Sequence, residues 1–411
     1  MTGIEMLVPK ASLLGADELS ERLDTLKCTG RFAPFDAALM KLAGDFSRRL
    51  LDDRTARDFP ELQVLGFWLR PAALETMKKD FMPKPGAVAV PQGLVFHLPP
   101  ASVETIFAYS LFVSLLCGNA NVILLPSRRG AVTMFLVRLL ADVLKAASEP
   151  LRNSLLILGY EHDPAITETI SQVCDLRVIW GGDVAVNAIR TIPLAPFGRE
   201  LIFPDRFSWS AIKSDAYRSF DDAARQNLAE RYFNDLFWFD QQGCSSPRIV
   251  LWCGNIEGKL TDDFYRRVAQ IAETKKWRLD TGSSLSRQTR NYGTMIDSLV
   301  TGKRDFGTAL TVFSLADLRT LTAMRKNPCF GGTLLEFCID ELSDIAAFIE
   351  RRDQTLSHFG FTRNEAESFV RKLNGKGFDR LVPIGEALAF EPVWDGYDLP
   401  ANFTRLVTVK L

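Results

Sequence analysis

The 411-residue sequence is poor in the residues that build disulfide frameworks and metal centres. It contains seven cysteines, an odd number without any C-x-x-C pair, and only three histidines. These spacings fit neither a set of disulfides nor a zinc site. We therefore expect no bound metal, and we expect reduced thiols in a cytoplasmic protein.

The sequence also lacks an excess of charge of either sign. Its 49 Lys and Arg residues against 50 Asp and Glu residues give a net charge of −1, which predicts no nucleic-acid partner. The uncharged run 105–127 is interrupted by Gly118-Asn119-Ala120-Asn121, and its apolar part is shorter than the roughly 18 residues of a spanning helix. The first ten residues show no signal-peptide pattern. We expect a globular protein without stable membrane insertion.

The length and the hydrophobic pattern predict an α/β protein with two main domains. An N-terminal segment, residues 1–82, has apolar residues at helical spacing. From Ala87 onwards, strand-like and helix-like runs alternate, which is typical of parallel βαβ units whose ligands bind beyond the carboxyl ends of the strands. The predicted divisions are the helical segment 1–82, a dinucleotide-binding domain 83–213, a catalytic domain 214–380 and a C-terminal tail 381–411, whose strand could join subunits.

One cysteine differs from the others in its surroundings. Cys244 lies in Gln241-Gln242-Gly243-Cys244-Ser245-Ser246-Pro247, between a long amphipathic run and a strand-like run, whereas the other six lie within or beside apolar runs. Backbone N–H groups in such a turn can stabilise a thiolate and later an oxyanion. A structural cysteine at the end of a helix is the alternative. The polar turn favours a nucleophile.

The signals for a dinucleotide are unconventional. No early strand is followed by G-x-G-x-x-G. Instead, a buried strand ends in Pro126-Ser127-Arg128-Arg129, where a hydroxyl and two cations could contact an adenosine ribose or its 2′-phosphate. A later strand is followed by Gly181-Gly182, which would let a pyrophosphate approach a helix N-terminus. A solvated arginine pair and an ordinary glycine turn capped by Asp183 are the alternatives.

The histidines allow two interpretations. His97 and His358 each lie in a strand-like run, and either could protonate a leaving thiolate or an alkoxide. A hydrogen-bonded core position is the alternative for both. His162, between Glu161 and Asp163, is expected on a surface loop.

Taken together, these motifs resemble known enzymes. The order of the Gly-Asn-x-x-Val strand ending in Pro-Ser, the glycine turn and the Gln-Gly-Cys turn is similar to that of the aldehyde dehydrogenase superfamily. Closer still is the bacterial acyl-CoA reductase family, which includes the reductase subunit of the luminescence fatty-acid reductase complex. The residues that carry this resemblance are 240–248, 59–62, 67–70 and Trp394-Asp395-Gly396.

The resemblance implies an aldehyde dehydrogenase-like fold, with a Rossmann-type cofactor domain and an α/β catalytic domain. It makes Cys244 the nucleophile, places Pro126, Ser127 and Arg128 near the adenosine ribose, and places Gly181 and Gly182 near the pyrophosphate. From the residues themselves, we take His358 as a catalytic candidate that could act as the general acid.

Three positions depart from the superfamily pattern. Leu125 replaces the lysine before Pro-Ser. Ser102 is the only candidate where an oxyanion-binding asparagine is expected, and Glu200 lacks the glycines that follow the water-activating glutamate.

A thioester on Cys244 would outlast hydrolysis if Glu200 is not a base. The resemblance therefore implies reduction of a long-chain fatty acyl-CoA to the aldehyde with NADPH, in a homo-oligomer that could work with an acyl-protein synthetase. Three alternatives remain open. They are an acid-forming aldehyde dehydrogenase that uses Glu200, an acyl carrier loaded by such a synthetase, and a plain cysteine hydrolase.

Overall fold

The computed structural model of the protein describes residues 3–28, 32–83, 85–161, 163–256, 258–297 and 300–410. The strands are β1 Ile4–Val8, β2 Ser12–Leu14, β3 Ala87–Pro91, β4 Leu94–Leu98, β5 Ala120–Leu125, β6 Leu155–Gly159, β7 Leu176–Trp180, β8 Arg199–Phe203, β9 Phe207–Lys213, β10 Pro247–Cys253, β11 Val300–Phe306, β12 Leu310–Leu315, β13 Thr333–Ile339, β14 Asp353–Phe359, β15 Arg380–Pro383, β16 Val393–Trp394, β17 Tyr397–Asp398 and β18 Thr404–Thr408.

The helices are α1 Ala16–Cys28, α2 Ala37–Asp52, α3 Pro60–Trp68, α4 Pro71–Asp80, α5 Ile106–Leu116, α6 Ala131–Leu144, α7 Glu149–Arg152, α8 Pro164–Ser171, α9 Asp183–Arg190, α10 Ser214–Ser219, α11 Asp222–Phe237, α12 Gly258–Thr274, α13 Thr281–Asp297, α14 Leu321–Lys326, α15 Arg363–Leu373 and α16 Leu399–Asn402. Short 3₁₀ turns span Thr55–Asp58, Trp238–Gln241, Leu318–Thr320 and Leu342–Phe348.

The chain divides into two compact units. The first comprises Met1–Asp205 and Phe390–Leu411, and the second comprises Arg206–Ala389. The first unit includes the predicted N-terminal segment and residues 390–411 of the predicted tail, whereas residues 381–389 of that tail belong to the second unit. The reason is strand pairing: β1 pairs with β6, and β18 pairs with β3. Likewise β9, predicted in the dinucleotide-binding domain, pairs with β10 and β14 in the second unit.

The first unit contains a sheet in the order β2-β1-β6-β5-β4-β7-β8. Strands β4 to β8 run parallel, while β1 and β2 are antiparallel additions at one side. The chain builds outwards from β4 to β5 and β6 on one side, and to β7 and β8 on the other. Its direction of winding therefore reverses between β4 and β7, and ligands of open α/β sheets bind at such a point, beyond the carboxyl ends of the strands.

The sequence had suggested a purely helical N-terminal segment, but the segment also contains two strands. Strands β1 and β2 precede α1 and pair with each other. They escape sequence reasoning because they are five and three residues long, too short to show a clear period. Helix α2 confirms the helical part of the prediction: Asp36 caps its first turn by accepting from the Ala38 N–H at 2.8 Å, and Leu39, Leu42 and Phe46 are buried.

The second unit has a sheet in the order β11-β12-β13-β10-β9-β14-β15. All neighbouring pairs are parallel except the β11–β12 hairpin. Both faces are covered, so the central strands β9 and β10 are buried almost throughout, as parallel strands usually are. They are mainly apolar, but Ser208, Ser210 and Arg248 are buried polar exceptions. On one face Trp252 packs among side chains of α11 and α12, and on the other Trp209 packs with residues of α15.

Candidate active site

Cys244 lies in the turn that joins α11 to β10, and the backbone before it has an unusual conformation. Phe239, Asp240 and Gln241 have φ angles of 54°, 53° and 62°. Residues other than glycine avoid this left-handed region, at a cost of roughly 1–2 kcal/mol each. Three such residues in a row persist only where the surroundings hold them, and strained backbone of this kind concentrates at functional sites.

Gln241 provides much of that hold. Its side chain is fully buried, and its Nε2 group donates to the carbonyl oxygens of Pro247 at 2.8 Å and Thr333 at 2.9 Å. Its Oε1 atom accepts from the N–H groups of Gly332 at 3.0 Å and Thr333 at 3.2 Å. One amide thus ties the strained turn to the starts of β10 and β13.

Beyond this bend, Cys244 is partly buried beside a group of buried polar side chains. The Ser208 hydroxyl donates to the Cys244 carbonyl oxygen at 2.7 Å, and Ser245 Oγ lies 4.0 Å from Cys244 Sγ. Ser245 in turn donates to Gln354 Oε1 at 3.2 Å and accepts from Thr355 Oγ1 at 3.4 Å. Three parallel strands therefore meet at the thiol, through residues that begin β9 and β14 and precede β10.

Gly243 allows another segment to approach the turn closely. A Cβ atom at this position would lie 3.1 Å from Leu388 Cδ2 and 3.2 Å from Ser246 Oγ. Leu388 belongs to a segment held by the buried Asp235, whose carboxylate accepts from Gly385 N–H at 2.7 Å and Ala387 N–H at 3.0 Å. Burial raises the pKa of Asp235 to about 7.

Four of the other six cysteines differ from Cys244 in being buried. Cys117, Cys174, Cys253 and Cys329 are buried, and burial raises the pKa of the Cys253 thiol to about 12 and that of Cys329 to about 11. Cys28 and Cys338 are exposed, although both lie within or beside apolar runs in the sequence.

His358 does not lie beside Cys244. On β9, Ser208 contacts Cys244, whereas Ala211, three residues further on, pairs with His358. At about 3.3 Å per residue, His358 is displaced by roughly 10 Å towards the carboxyl ends of the strands. Its imidazole lines a groove with Thr362, and burial lowers its pKa. The role of His358 as the general acid for Cys244 stays a prediction, and the strand register does not support it.

His97 occupies the core, as the alternative interpretation had it. Its Nδ1 atom lies 2.8 Å from Ser110 Oγ and its Nε2 atom 3.0 Å from Asn121 Oδ1. Complete burial lowers the pKa of His97 to about 4, so the ring is neutral at physiological pH. His162 lies outside the described residues.

The carboxyl edge of the first unit's sheet carries the predicted nucleotide residues. Pro126 and Arg128 line a small pocket after β5, and Ser127 and Arg128 are exposed. Arg129, by contrast, is engaged: it pairs with Glu5 Oε2 at 2.7 Å and donates to the Pro126 carbonyl. Of the two arginines, Arg128 therefore fits a nucleotide phosphate or ribose.

The glycine turn after β7 fits a pyrophosphate less well. Gly182 precedes α9, but the Asp205 carboxylate already accepts from the Asp183 N–H at 3.0 Å, and Asp183 Oδ1 accepts from the Asp205 N–H at 3.2 Å. A phosphate would meet two carboxylates where it needs N–H donors. The role of Gly181 and Gly182 stays a prediction, and it requires Asp205 to move.

Ser102 and Glu200 also lie in the first unit. Ser102 is exposed in the loop after β4, where its role as an oxyanion donor stays a prediction. Glu200 lies near the amino end of β8, and its carboxylate is 2.5 Å from Arg177 Nη2 and 3.3 Å from Arg190 Nε. Two guanidinium groups thus hold the carboxylate, which favours an ion pair over a water-activating base.

A comparison with protein families decides the assignment of the chain. Residues 86–409 match the sequence model of a family described as acyl-CoA reductase (LuxC). The chain belongs to the acyl-CoA reductase (LuxC) family. The resemblance noted from residues 240–248 is confirmed.

A curated relative of this acyl-CoA reductase family member is the long-chain acyl-protein thioester reductase of Aliivibrio fischeri. The two sequences are 28% identical over 212 residues, which is 51% of this chain. The chain spans only 40% of the length of that relative.

The fold of this acyl-CoA reductase family member is that of aldehyde dehydrogenases. Glyceraldehyde-3-phosphate dehydrogenase GapN of Methanocaldococcus jannaschii, solved in complex with NADP, superposes with a TM-score of 0.66 at 14% identity, over 96% of this chain and 94% of GapN. A mutant of indole-3-acetaldehyde dehydrogenase AldA of P. syringae, in complex with NAD⁺, has a TM-score of 0.66 at 12% identity, over 100% of this chain and 92% of AldA. The predicted fold class is confirmed.

The described ranges contain no group of three or more His, Cys, Asp and Glu side chains that could hold a metal ion. Among the helices of the same ranges, none has the length and apolar character needed to cross a membrane.

Sequence reasoning missed most of the residues around Cys244. Ser245 was part of the motif, but Ser208, Gln354 and Leu388 come from distant segments and carry no local signal. Asp205 was missed for the same reason: it caps a helix that begins 22 residues earlier.

Proposed function

We propose that the protein reduces a fatty acyl group, carried as a thioester on Cys244, to the aldehyde, with NADPH as the reductant. The observation that carries this proposal is the position of Cys244. Its thiol is partly buried in a turn whose backbone is strained and held by hydrogen bonds. The chain also belongs to the acyl-CoA reductase (LuxC) family. A structural cysteine needs neither the strain nor the buried polar shell.

The chemistry of Cys244 follows in two steps. Its thiolate attacks the carbonyl carbon of an acyl-CoA, the sulfur–carbonyl bond of the CoA ester breaks, and CoA leaves as its thiolate. Backbone N–H groups of the turn stabilise the oxyanion, at about 3 kcal/mol per donor. NADPH, when bound, supplies the hydride that the acyl carbon needs. Cys244 then leaves as a thiolate when the reduced carbon becomes an aldehyde.

For the cofactor, the residues that favour binding are Ser127 and Arg128. Both are exposed after β5, close to the point where the winding of the sheet reverses. GapN and AldA were solved with NADP and NAD⁺ respectively, which supports a nicotinamide dinucleotide here. The guanidinium of Arg128 favours NADPH, because it can pair with a 2′-phosphate. In Arg128→Ala, we expect the KM for NADPH to rise more than the KM for NADH.

An acid-forming reaction is the less favoured candidate. It needs a base that activates water, and Glu200 is held by Arg177 and Arg190. Without such a base, an acyl group on Cys244 persists until it is reduced.

The source of the acyl group is either CoA or a partner protein. The curated relative is named for the reduction of an acyl-protein thioester, which supports a partner acyl-protein synthetase for this chain as well. Transfer from such a partner would use the same thiol, Cys244.

We also propose that the protein is a homo-oligomer assembled through the ribbon of β3 and β18. This ribbon exposes Val88, Leu406 and Val407. Sedimentation of Leu406→Glu tests this: a smaller particle than wild type supports the assignment, and an unchanged one contradicts it.

A substrate panel tests the function. Purified protein is mixed with acyl-CoA of several chain lengths, with NADPH or NADH, and aldehyde is measured. We expect aldehyde with a preference for NADPH, and none in Cys244→Ala. Cys253→Ala, at the far end of β10, is the matched control and should retain activity. Full activity in Cys244→Ala, or acid made from aldehyde without CoA, would overturn the proposal.

A further inference from the structure

We propose that two buried serines prepare the Cys244 thiol: Ser208 as a positioning residue that fixes its peptide group, and Ser245 as the hydrogen-bond donor that turns to Sγ when the thiolate forms. This inference rests on the proposed function for its biological meaning, since a thiol that carries an acyl group must be reactive and precisely held.

Ser208 acts through the backbone. Its hydroxyl donates to the Cys244 carbonyl oxygen at 2.7 Å and accepts the Thr355 N–H at 3.3 Å, and the side chain is fully buried. A trans peptide is planar, with its N–H opposite to its C=O. Because Ser208 draws the Cys244 carbonyl towards β9, the Ser245 N–H of the same peptide points the other way. Ser208 therefore sets the direction of a donor next to the thiol.

Ser245 acts on the sulfur itself. Its hydroxyl accepts from Thr355 Oγ1 at 3.4 Å, donates to Gln354 Oε1 at 3.2 Å and lies 4.0 Å from Cys244 Sγ. A hydroxyl has a single proton to donate, so Gln354 and the sulfur compete for it. An anionic acceptor forms the stronger hydrogen bond. When the Cys244 thiol is neutral, the Ser245 O–H therefore donates to Gln354. When the thiolate forms, the O–H rotates and donates to Sγ, and no covalent bond breaks.

Hydroxyl groups provide the hydrogen bonds near Cys244 for which a histidine or an asparagine had been expected. His358 lies roughly 10 Å further along the sheet, and an asparagine is missing from the loop that contains Ser102. The side chains of Ser208, Ser245 and Thr355 are at most 1% exposed, so their hydrogen bonds act away from bulk water, where they are strongest.

The chain contains a matched control for Ser208. Ser214 follows the other end of β9, is equally buried, and donates to the Cys253 carbonyl at the other end of β10, also at 2.7 Å. Loss of either hydroxyl removes the same kind of hydrogen bond between the same two strands, at opposite ends of them. Of the two serines, Ser208 makes that bond to Cys244.

The test is the rate at which iodoacetamide alkylates Cys244 in the full-length protein. The rate is followed by mass spectrometry of the Cys244 peptide, because the exposed Cys28 and Cys338 can react as well. We expect Ser208→Ala and Ser245→Ala to slow alkylation about fivefold to tenfold, the factor that one hydrogen bond is worth. Ser214→Ala should react like wild type although its melting temperature also falls. Ser245→Thr, which keeps the hydroxyl, should restore the rate.

Equal alkylation rates in Ser208→Ala and Ser214→Ala would overturn the role of Ser208, and a wild-type rate in Ser245→Ala would overturn that of Ser245. If Ser208→Ala does not fold, the Ser245→Ala and Ser245→Thr pair decides. Iodoacetamide needs neither acyl-CoA nor NADPH, so failure of the proposed function has a separate signature: wild type alkylates normally but forms no acyl adduct.

Discussion

Replacing Gln241 by alanine is expected to destabilise the second unit by about 3 kcal/mol. The substitution leaves three buried backbone groups without a partner: the carbonyl oxygen of Pro247 and the N–H groups of Gly332 and Thr333. It also removes a donor from the Thr333 carbonyl oxygen, which still accepts from Cys329 Sγ at 3.2 Å. Each buried group left unpaired costs about 1–3 kcal/mol. The lower end applies here, because the space of the glutamine side chain is large enough and polar enough to admit water.

The backbone conformation of Gln241 leads to a second prediction, which compares glycine with alanine at this position. Its φ angle of 62° is unfavourable for alanine and permitted for glycine. Gln241→Gly loses the same four hydrogen bonds but gains about 1 kcal/mol from relief of the left-handed strain. Glycine should therefore be less destabilising than alanine at this position, the reverse of the usual order in a regular element.

Urea unfolding followed by tryptophan fluorescence measures these differences. Gln242→Ala is the control: this neighbouring side chain is exposed, and its loss should change the unfolding free energy by less than about 0.5 kcal/mol. A loss below about 1 kcal/mol in Gln241→Ala, the value of a single ordinary hydrogen bond, would refute the account of the turn. So would a glycine variant less stable than the alanine variant.

Three further predictions concern catalysis, the cofactor and pH. Gly243→Ala should lower kcat by about tenfold, because the added Cβ would press on Leu388. Leu388→Ala in the same protein should restore much of the activity, and measuring kcat of both variants checks this. Asp205→Asn should tighten NADPH binding about tenfold, since one charge no longer faces the pyrophosphate; fluorescence titration measures this, and weaker binding would contradict it.

The third follows from His97, whose folded pKa of about 4 lies below its ordinary 6.5. As pH falls, His97 of the unfolded chain binds a proton before His97 of the folded chain does. The free energy of unfolding therefore decreases from about pH 6.5 to about pH 4, by up to about 3 kcal/mol. In urea unfolding, the free energy of His97→Gln should depend less on pH over that range.

The parallel strands were the part of the fold that the sequence predicted best. The strand predicted before Gly181-Gly182 is β7. Such strands are buried on both faces and appear as continuous apolar runs. Helix α13 went unnoticed for the opposite reason: it has no apolar core-facing stripe, and polar bonds such as that from Arg290 to the Pro328 carbonyl hold it in place.

The site was predictable only as far as its chemistry is local. Cys244 stands out because its own turn is polar. The residues that surround it are brought there by strand register, which joins Ser208 and Gln354 to the turn across 36 and 109 residues of sequence. The register of β14, which sets the position of His358 along the sheet, cannot be read from its strand-like run.

The most direct test of the central claim is the fate of Cys244 after mixing with a long-chain acyl-CoA. Without NADPH, mass spectrometry should find the acyl group on the Cys244 peptide, and addition of NADPH should remove it with release of one equivalent of aldehyde. An unmodified Cys244, or an adduct that NADPH does not discharge, would contradict the account.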